Sequence, residues 1–221
     1  MDPDEFTMRL MELLRDTVSL YGEVCGTWDA YASDNGLEPI NLKSRQVRDM
    51  RDDSAVYDVV LCHDLFLDGL GLPDRYRAYD TEEFDVKSRV KMRNSVSAKM
   101  RRYTSMEHQG KVGLNKCYND LFGIRVIGDI PMTHDELCGT VFREFGLKCI
   151  DSTKYDPESG EPVYIATHIY ISVDNRHFPW ELQIWQRRDA ESNYTSHEAR
   201  KQGYSVWEPS YTGVCRWPTT T

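Results

Sequence analysis

Two short apolar runs, each with a carboxylate at its edge, constrain this chain more than any other feature. Asp120 leads into Leu121, Phe122, Ile124, Val126 and Ile127, and Glu181 lies between Trp180 and Leu182, ahead of Ile184. Branched and aromatic runs of this length, bounded by turn residues, read as buried strands. A carboxylate at the mouth of such a strand is poorly solvated, and burying a charge is costly unless it is paired. Taken singly, Asp120 reads as a strand or helix cap and Glu181 as an edge charge that discourages aggregation; occurring together, they favour chemistry. Tyr164, Ala166 and His168 lie between them, and ahead of both runs comes a basic stretch from Lys87 to Arg102.

The rest of the chain sets these runs in a mixed α/β architecture. Over residues 5–35, Phe6, Leu10, Leu13, Thr17, Leu20, Val24, Trp28 and Tyr31 recur at three- and four-residue steps, predicting an amphipathic helix stopped at Gly36. A second helical region is expected within residues 44–70. From there the pattern predicts a strand at 84–91, a helix at 95–103, a strand at 121–127 and a helix at 133–145. Thr133 and Glu136 form a capping-box pair for that last helix, and Gly146 closes it. A hairpin is expected next, residues 148–155 turning at 156–160 into 163–173. A strand at 178–185 then runs into a polar helix that includes residues 196–202. Strands interleaved with helices predict a mixed sheet flanked by helices, with a helical extension at the N-terminus.

With 221 residues, 40% of them apolar and 29% charged, the chain has one good core's worth of material. The predicted division is a helical extension over 1–80, a core over 81–205 and a tail over 206–221. No apolar run approaches the length of a membrane span, and the start lacks the layout of a signal peptide, so a cytoplasmic protein with no membrane partner is expected. Six cysteines without a C-x-x-C pair predict buried or incidental thiols rather than a structural zinc site or a disulfide framework. The net charge of −9 is unevenly spread: residues 1–85 hold 20 acids and 8 bases, whereas residues 86–106 hold seven bases and no acid. One local basic stretch on an acidic chain excludes a general DNA or nucleic-acid binder but suits a single triphosphate or a short RNA end.

The order of four blocks resembles the synthetase domain of the RelA/SpoT family across residues 84–204. The first block is Arg89, Lys91, Ser95 and Lys99 followed by Met100. The second is Asp120 with Arg125, the third Tyr164, Ala166 and His168, and the fourth Glu181, Gln183 and Ile184. The resemblance implies a nucleotidyltransferase-like core that moves a pyrophosphate from ATP to a 3′-hydroxyl, with Mg2+ as cofactor. It assigns Arg89, Lys91, Ser95, Lys99 and Arg125 to ATP. Asp120 is implied to hold magnesium. Glu181 is implied to share that metal or to take the proton from the attacking hydroxyl. Tyr164, His168 and Gln183 are implied to serve the acceptor, Tyr164 by stacking on its base.

Trp185 and Gln186 stand where many members of that family carry Arg-Thr, which bears on acceptor recognition. The size, the lack of room for a hydrolase domain and this ending resemble the small toxic synthetases of toxin-antitoxin systems. That implies an acceptor that is either the 3′ end of tRNA or a guanine or adenine nucleotide, and a protein antitoxin as partner. The rival reading is a nucleotide- or RNA-binding sensor on the same fold. His63 and Asp64, which echo a hydrolase pair, read as chance.

Overall fold

The computed structural model describes residues 2–105 and 109–202. The first helix, α1 (Pro3–Asp34), opens with proline at a position where its missing N–H costs nothing and with Asp4 and Glu5 against the positive end of the helix dipole. Its buried side is Phe6, Leu10, Leu13, Leu14, Thr17, Tyr21, Val24, Cys25 and Trp28. That is the face the sequence predicts, with Leu20 and Tyr31 at its margins, partly buried against the core. The second helical region divides into α2 (Asp49–Asp52) and α3 (Ser54–Gly69). The division falls at Asp53, whose extended backbone and side chain, accepting from the Ala55 N–H at 3.0 Å, cap a new helix. A single turn, α4 (Leu72–Arg75), leads toward the sheet.

The remaining elements are β1 (Phe84–Val90), α5 (Arg93–Ser105), α6 (Leu114–Cys117), β2 (Phe122–Gly128), α7 (His134–Phe145), β3 (Lys148–Asp151), β4 (Lys154–Tyr155), β5 (Pro162–Tyr164), β6 (Thr167–Ile171), β7 (Trp180–Gln186) and α8 (Ala190–Gln202). Five strands form one sheet in the order β1-β2-β7-β6-β3. Only β2 and β7 run parallel; every other pairing in it is antiparallel. The expected mixed α/β class is what the chain adopts.

The hairpin is real but interrupted. β3 pairs with β6 and β4 with β5, so each arm breaks between its two pieces. Asp156 organises the turn by accepting the backbone N–H groups of Glu158 and Ser159, and Gly160 takes the left-handed φ of 73° that closes it. The returning arm breaks at Ile165, whose N–H and C=O are both taken by the Asn193 side chain of α8, at 2.8 and 2.7 Å, instead of by a strand.

One continuous core spans the N-terminal helices and the sheet. Phe6 meets Phe84 edge-on at 5.1 Å, Tyr21 meets Trp180 at 5.3 Å, and His63 of α3 meets Phe178 at 4.8 Å. Helices α1, α2 and α3 pack on the sheet's apolar face beside Ile124, Leu182 and Ile169. At the end of β2 the approach is so close that a Cβ on Gly128 would lie 2.3 Å from the Phe6 ring. The expected tail over 206–221 lies outside the described residues.

Cys25, Cys117, Cys138 and Cys149 are free thiols. Cys62 is buried. No helix of the described residues is long and apolar enough to cross a membrane.

The capping box at α7 is present in full: Thr133 N–H donates to Glu136 at 2.8 Å and the Glu136 N–H donates to Thr133 Oγ1 at 3.3 Å. Thr133→Ala removes one half of it. The expected result in thermal denaturation followed by circular dichroism is a loss of about 1 kcal/mol, or about 2–4 °C in Tm.

Candidate active site

Strand alternation and register sort the sheet into an apolar face and a polar one. On the polar face two rows of side chains cross four strands. Lys87, Arg125, Gln183 and His168 form one row; Arg89, Gly123, Glu181 and Tyr170 form the next. The intervening residues Val86, Ile124, Leu182 and Ile169 point into the core, so the period of two that buries one face assembles the other. Gly123 leaves its place in the second row open, since a Cβ there would meet nothing nearer than a backbone oxygen at 3.9 Å. That gap lies between Arg89 and Glu181.

Asp120 sits just ahead of β2, where the ladder is carried on by the Lys91 N–H donating to Leu121 O at 2.8 Å. Lys91 Nζ donates to one carboxylate oxygen of Asp120 at 2.5 Å, and Lys99 Nζ, reaching in from α5, donates to the other at 2.9 Å. Burial pushes the Asp120 carboxyl up, but the neighbouring ammonium groups of Lys99 and Lys91 outweigh it and hold the group down at about 2. The same pairing acts on Lys99: burial pulls its ammonium down, Asp120 more than compensates, and the net shift is upward. Ser95 lies one turn before Lys99 in α5, as its spacing predicts.

Glu181 is collared by three donors. His168 Nδ1 reaches Oε1 at 2.9 Å, the Tyr170 hydroxyl donates to the same oxygen at 3.1 Å, and Gln183 Nε2 donates to Oε2 at 2.7 Å. Burial pushes the Glu181 carboxyl up, and the hydrogen bond and charge of His168 overcome that, leaving it below its ordinary value. The other ring nitrogen of His168, Nε2, lies 2.9 Å from the Tyr164 hydroxyl.

Arg125 lies flat on Trp185, with its guanidinium carbon 3.7 Å from the ring centre, and donates through Nε and Nη2 to Gln183 Oε1 at 3.2 and 3.1 Å. Burial lowers its pKa, and the positive charge of nearby Arg89 adds to that shift. The charge of Asp120 adds to the upward push on the Glu181 carboxyl.

The structure therefore gathers Arg89, Lys91, Lys99, Arg125, Asp120, His168, Glu181 and Gln183, with Ser95 at the margin. Tyr164 is close by but does not offer the open stacking face expected of it. The residue is 2% exposed, the Lys154 ammonium sits 5.2 Å from its ring centre, and the rings of His197, Trp185 and His168 pack edge-on around it. Those rings come partly from α8 and from strand partners distant in sequence, which a local pattern does not reveal. Gln183 was expected to meet the acceptor, but both ends of its amide are engaged within the protein. Sequence reasoning passed over Tyr170, although it stands two residues beyond His168 and alternation puts it on the same face. It also passed over the Arg125–Trp185 stack.

Magnesium takes oxygen ligands and keeps several waters and phosphate oxygens of its own, so two mutually close carboxylates suit it without a dedicated cage. Asp120 and Glu181 are the carboxylates of this site that could supply such ligands. Among the described residues no group of three or more His, Cys, Asp or Glu side chains gathers as a metal site.

No family model matches the chain, and no curated protein matches it. Among solved structures, small alarmone synthetase 1 from Bacillus subtilis aligns over 72% of this chain and 82% of its own, at 17% identity and a TM-score of 0.37. Small alarmone synthetase 2 from the same organism aligns over 72% and 85%, at 20% identity and 0.35. A GTP pyrophosphokinase family protein from Streptococcus pneumoniae aligns over 67% and 76%, at 18% identity and 0.36. At TM-scores this low the likeness carries no weight of its own, and the reading below rests on the side chains.

Proposed function

We propose that this chain is a pyrophosphokinase that transfers the β,γ-pyrophosphoryl group of ATP to the ribose 3′-hydroxyl of a nucleotide acceptor and releases AMP. The observation that carries the reading is the polar sheet face itself. It holds two carboxylates shielded from solvent, one neutralised by a pair of ammonium groups and the other collared by hydrogen-bond donors, with Arg89 and Arg125 beside the gap at Gly123.

In the transfer, the acceptor oxygen forms a bond to the β-phosphorus while the bond from that phosphorus to the bridging α–β oxygen breaks, and AMP leaves with that oxygen. The proton of the attacking hydroxyl passes to Glu181, whose depressed pKa keeps it ionised and ready near neutrality. Arg89 and Arg125 bind the phosphate chain, and the Gly123 gap gives its oxygens room beside Glu181. Lys91 and Lys99 bind phosphate oxygens as ATP enters, and Asp120, released from them, would hold a magnesium ion. The ion, when bound, neutralises charge that develops on the phosphate oxygens. The protein's own part is positioning and charge stabilisation.

The acceptor takes one of two forms in this reading, a free guanine or adenine nucleotide or the 3′-terminal adenosine of tRNA, and in either form the product would restrain growth. An antitoxin partner belongs to the same reading. The test is to incubate the protein with magnesium and ATP labelled in its β-phosphate, offering GDP, GTP, AMP, ATP and deacylated tRNA separately. The expected result is label on one acceptor class with matching AMP release. Label on no acceptor, with ATP still bound, would overturn the enzyme reading in favour of a nucleotide sensor.

A further inference from the structure

The Gln183 side chain spans the two halves of the polar face, and its orientation is fixed by chemistry. A guanidinium can only donate and a carboxylate can only accept, so an amide held between them must turn its oxygen to the first and its nitrogen to the second. The contacts are laid out in that way. Arg125 Nε and Nη2 reach Gln183 Oε1 at 3.2 and 3.1 Å, and Gln183 Nε2 reaches Glu181 Oε2 at 2.7 Å. A flip of the amide would set nitrogen against guanidinium and oxygen against carboxylate, losing three hydrogen bonds together. The backbone supports the arrangement, because Arg125 and Gln183 are register partners across the parallel β2–β7 pair and Glu181 lies two residues along the same strand face.

Glu181 depends on this bridge. His168 and Tyr170 both act on Oε1, so Gln183 is the donor that fixes Oε2 and with it the rotation of the carboxylate plane. Arg125 is in turn held flat against Trp185 at 3.7 Å, so the bridge is anchored at its far end on a fully buried ring. The amide carbonyl and one amino hydrogen are thereby committed within the protein.

We propose that Gln183 is a positioning residue that aims the Glu181 carboxylate, its amide set in turn by Arg125, and that it does not read the acceptor directly. The inference rests on the reading of Glu181 as the proton acceptor in pyrophosphoryl transfer. It also couples the two halves of the site: a phosphate chain bound by Arg125 braces the carboxylate that takes the proton.

Two variants of the full chain test it in the transfer assay, with kcat and KM measured for ATP and for the acceptor that the wild type uses. Gln183→Met keeps the length of the side chain and removes both hydrogen-bonding ends. Gln183→Glu keeps the bond to Arg125 and replaces the donor that faces Glu181 with an oxygen, so it carries the test if the methionine variant fails to fold. Both should lower kcat at least tenfold and leave both KM values within about threefold, since an interaction that orients a reacting group acts in the transition state more than in substrate binding. Gln183→Glu should be the slower, because it turns a second carboxylate toward Glu181. An active wild type whose variants keep kcat, or instead lose acceptor affinity at constant kcat, overturns the positioning role and leaves the enzyme reading standing. A wild type silent on every acceptor overturns both.

Discussion

Glu181→Gln should reduce pyrophosphoryl transfer by about a thousandfold while leaving ATP affinity within a few-fold of wild type, because a positioned general base contributes about 10²–10⁴ in rate. The substitution preserves size and leaves an oxygen to accept from His168 and Tyr170, while its amino group takes the place of the oxygen that accepted from Gln183. What it removes is the capacity to take a proton. ATP contacts fall to Arg89, Arg125, Lys91 and Lys99, none of which pairs with Glu181, so binding of a non-hydrolysable ATP analogue measured by calorimetry should persist. Single-turnover transfer is the decisive measurement. Activity within tenfold of wild type would remove Glu181 from the proton transfer and leave it a structural acid.

Asp120→Asn should be the most destabilising single change in the site. It strips the counter-charge from two partly buried ammonium groups at once, a loss bounded above by the about 3–5 kcal/mol that breaking a fully buried pair costs. The stability carried by Asp120 also has a defined pH window. Its carboxyl is held at about 2 in the folded chain against an ordinary 3.8. A depressed acid stabilises the fold fully above the ordinary value, and that contribution drains away as pH falls from about 4 toward 2. The titrating part amounts to about 2 kcal/mol, from about 1.4 kcal/mol per pH unit. Urea denaturation of wild type and variant should therefore differ most at pH 7 and converge near pH 2. Adding Lys99→Met to Asp120→Asn should recover part of the loss, because one unpaired ammonium goes with it. A variant as stable as wild type at pH 7 would mean that the two lysines find water or other partners. Transfer activity should be lost in either case.

Much of this site could be read from the linear chain, and the reasons are local. Strands β1, β2 and β7 announce themselves by branched and aromatic runs, and once they are strands, alternation alone puts Arg89, Arg125, Glu181 and Gln183 on the face away from the core. Asp120 and Lys91 stand beside strand ends, where a charge keeps a foothold near solvent. The α7 capping box is a four-residue signal and was legible in full. What the chain concealed depends on contacts between distant segments. The break at Ile165 needs Asn193 from α8, and the closure around Tyr164 needs His197 and Lys154. The engagement of both ends of the Gln183 amide needs Arg125 from the neighbouring strand.

The Lys91–Asp120–Lys99 trio also governs what the empty protein shows to its surroundings. Lys91 and Lys99 already share one acid, so the trio presents one net positive charge instead of two. A polyanion drifting past, whether a stretch of RNA or a chain of inorganic phosphate, meets a muted surface on a chain of net charge −9. In the proposed reading, a nucleoside triphosphate carrying a divalent ion would occupy Asp120 and release both lysines, which a bare polyanion would not, and the trio would act as a filter for ligand and metal together.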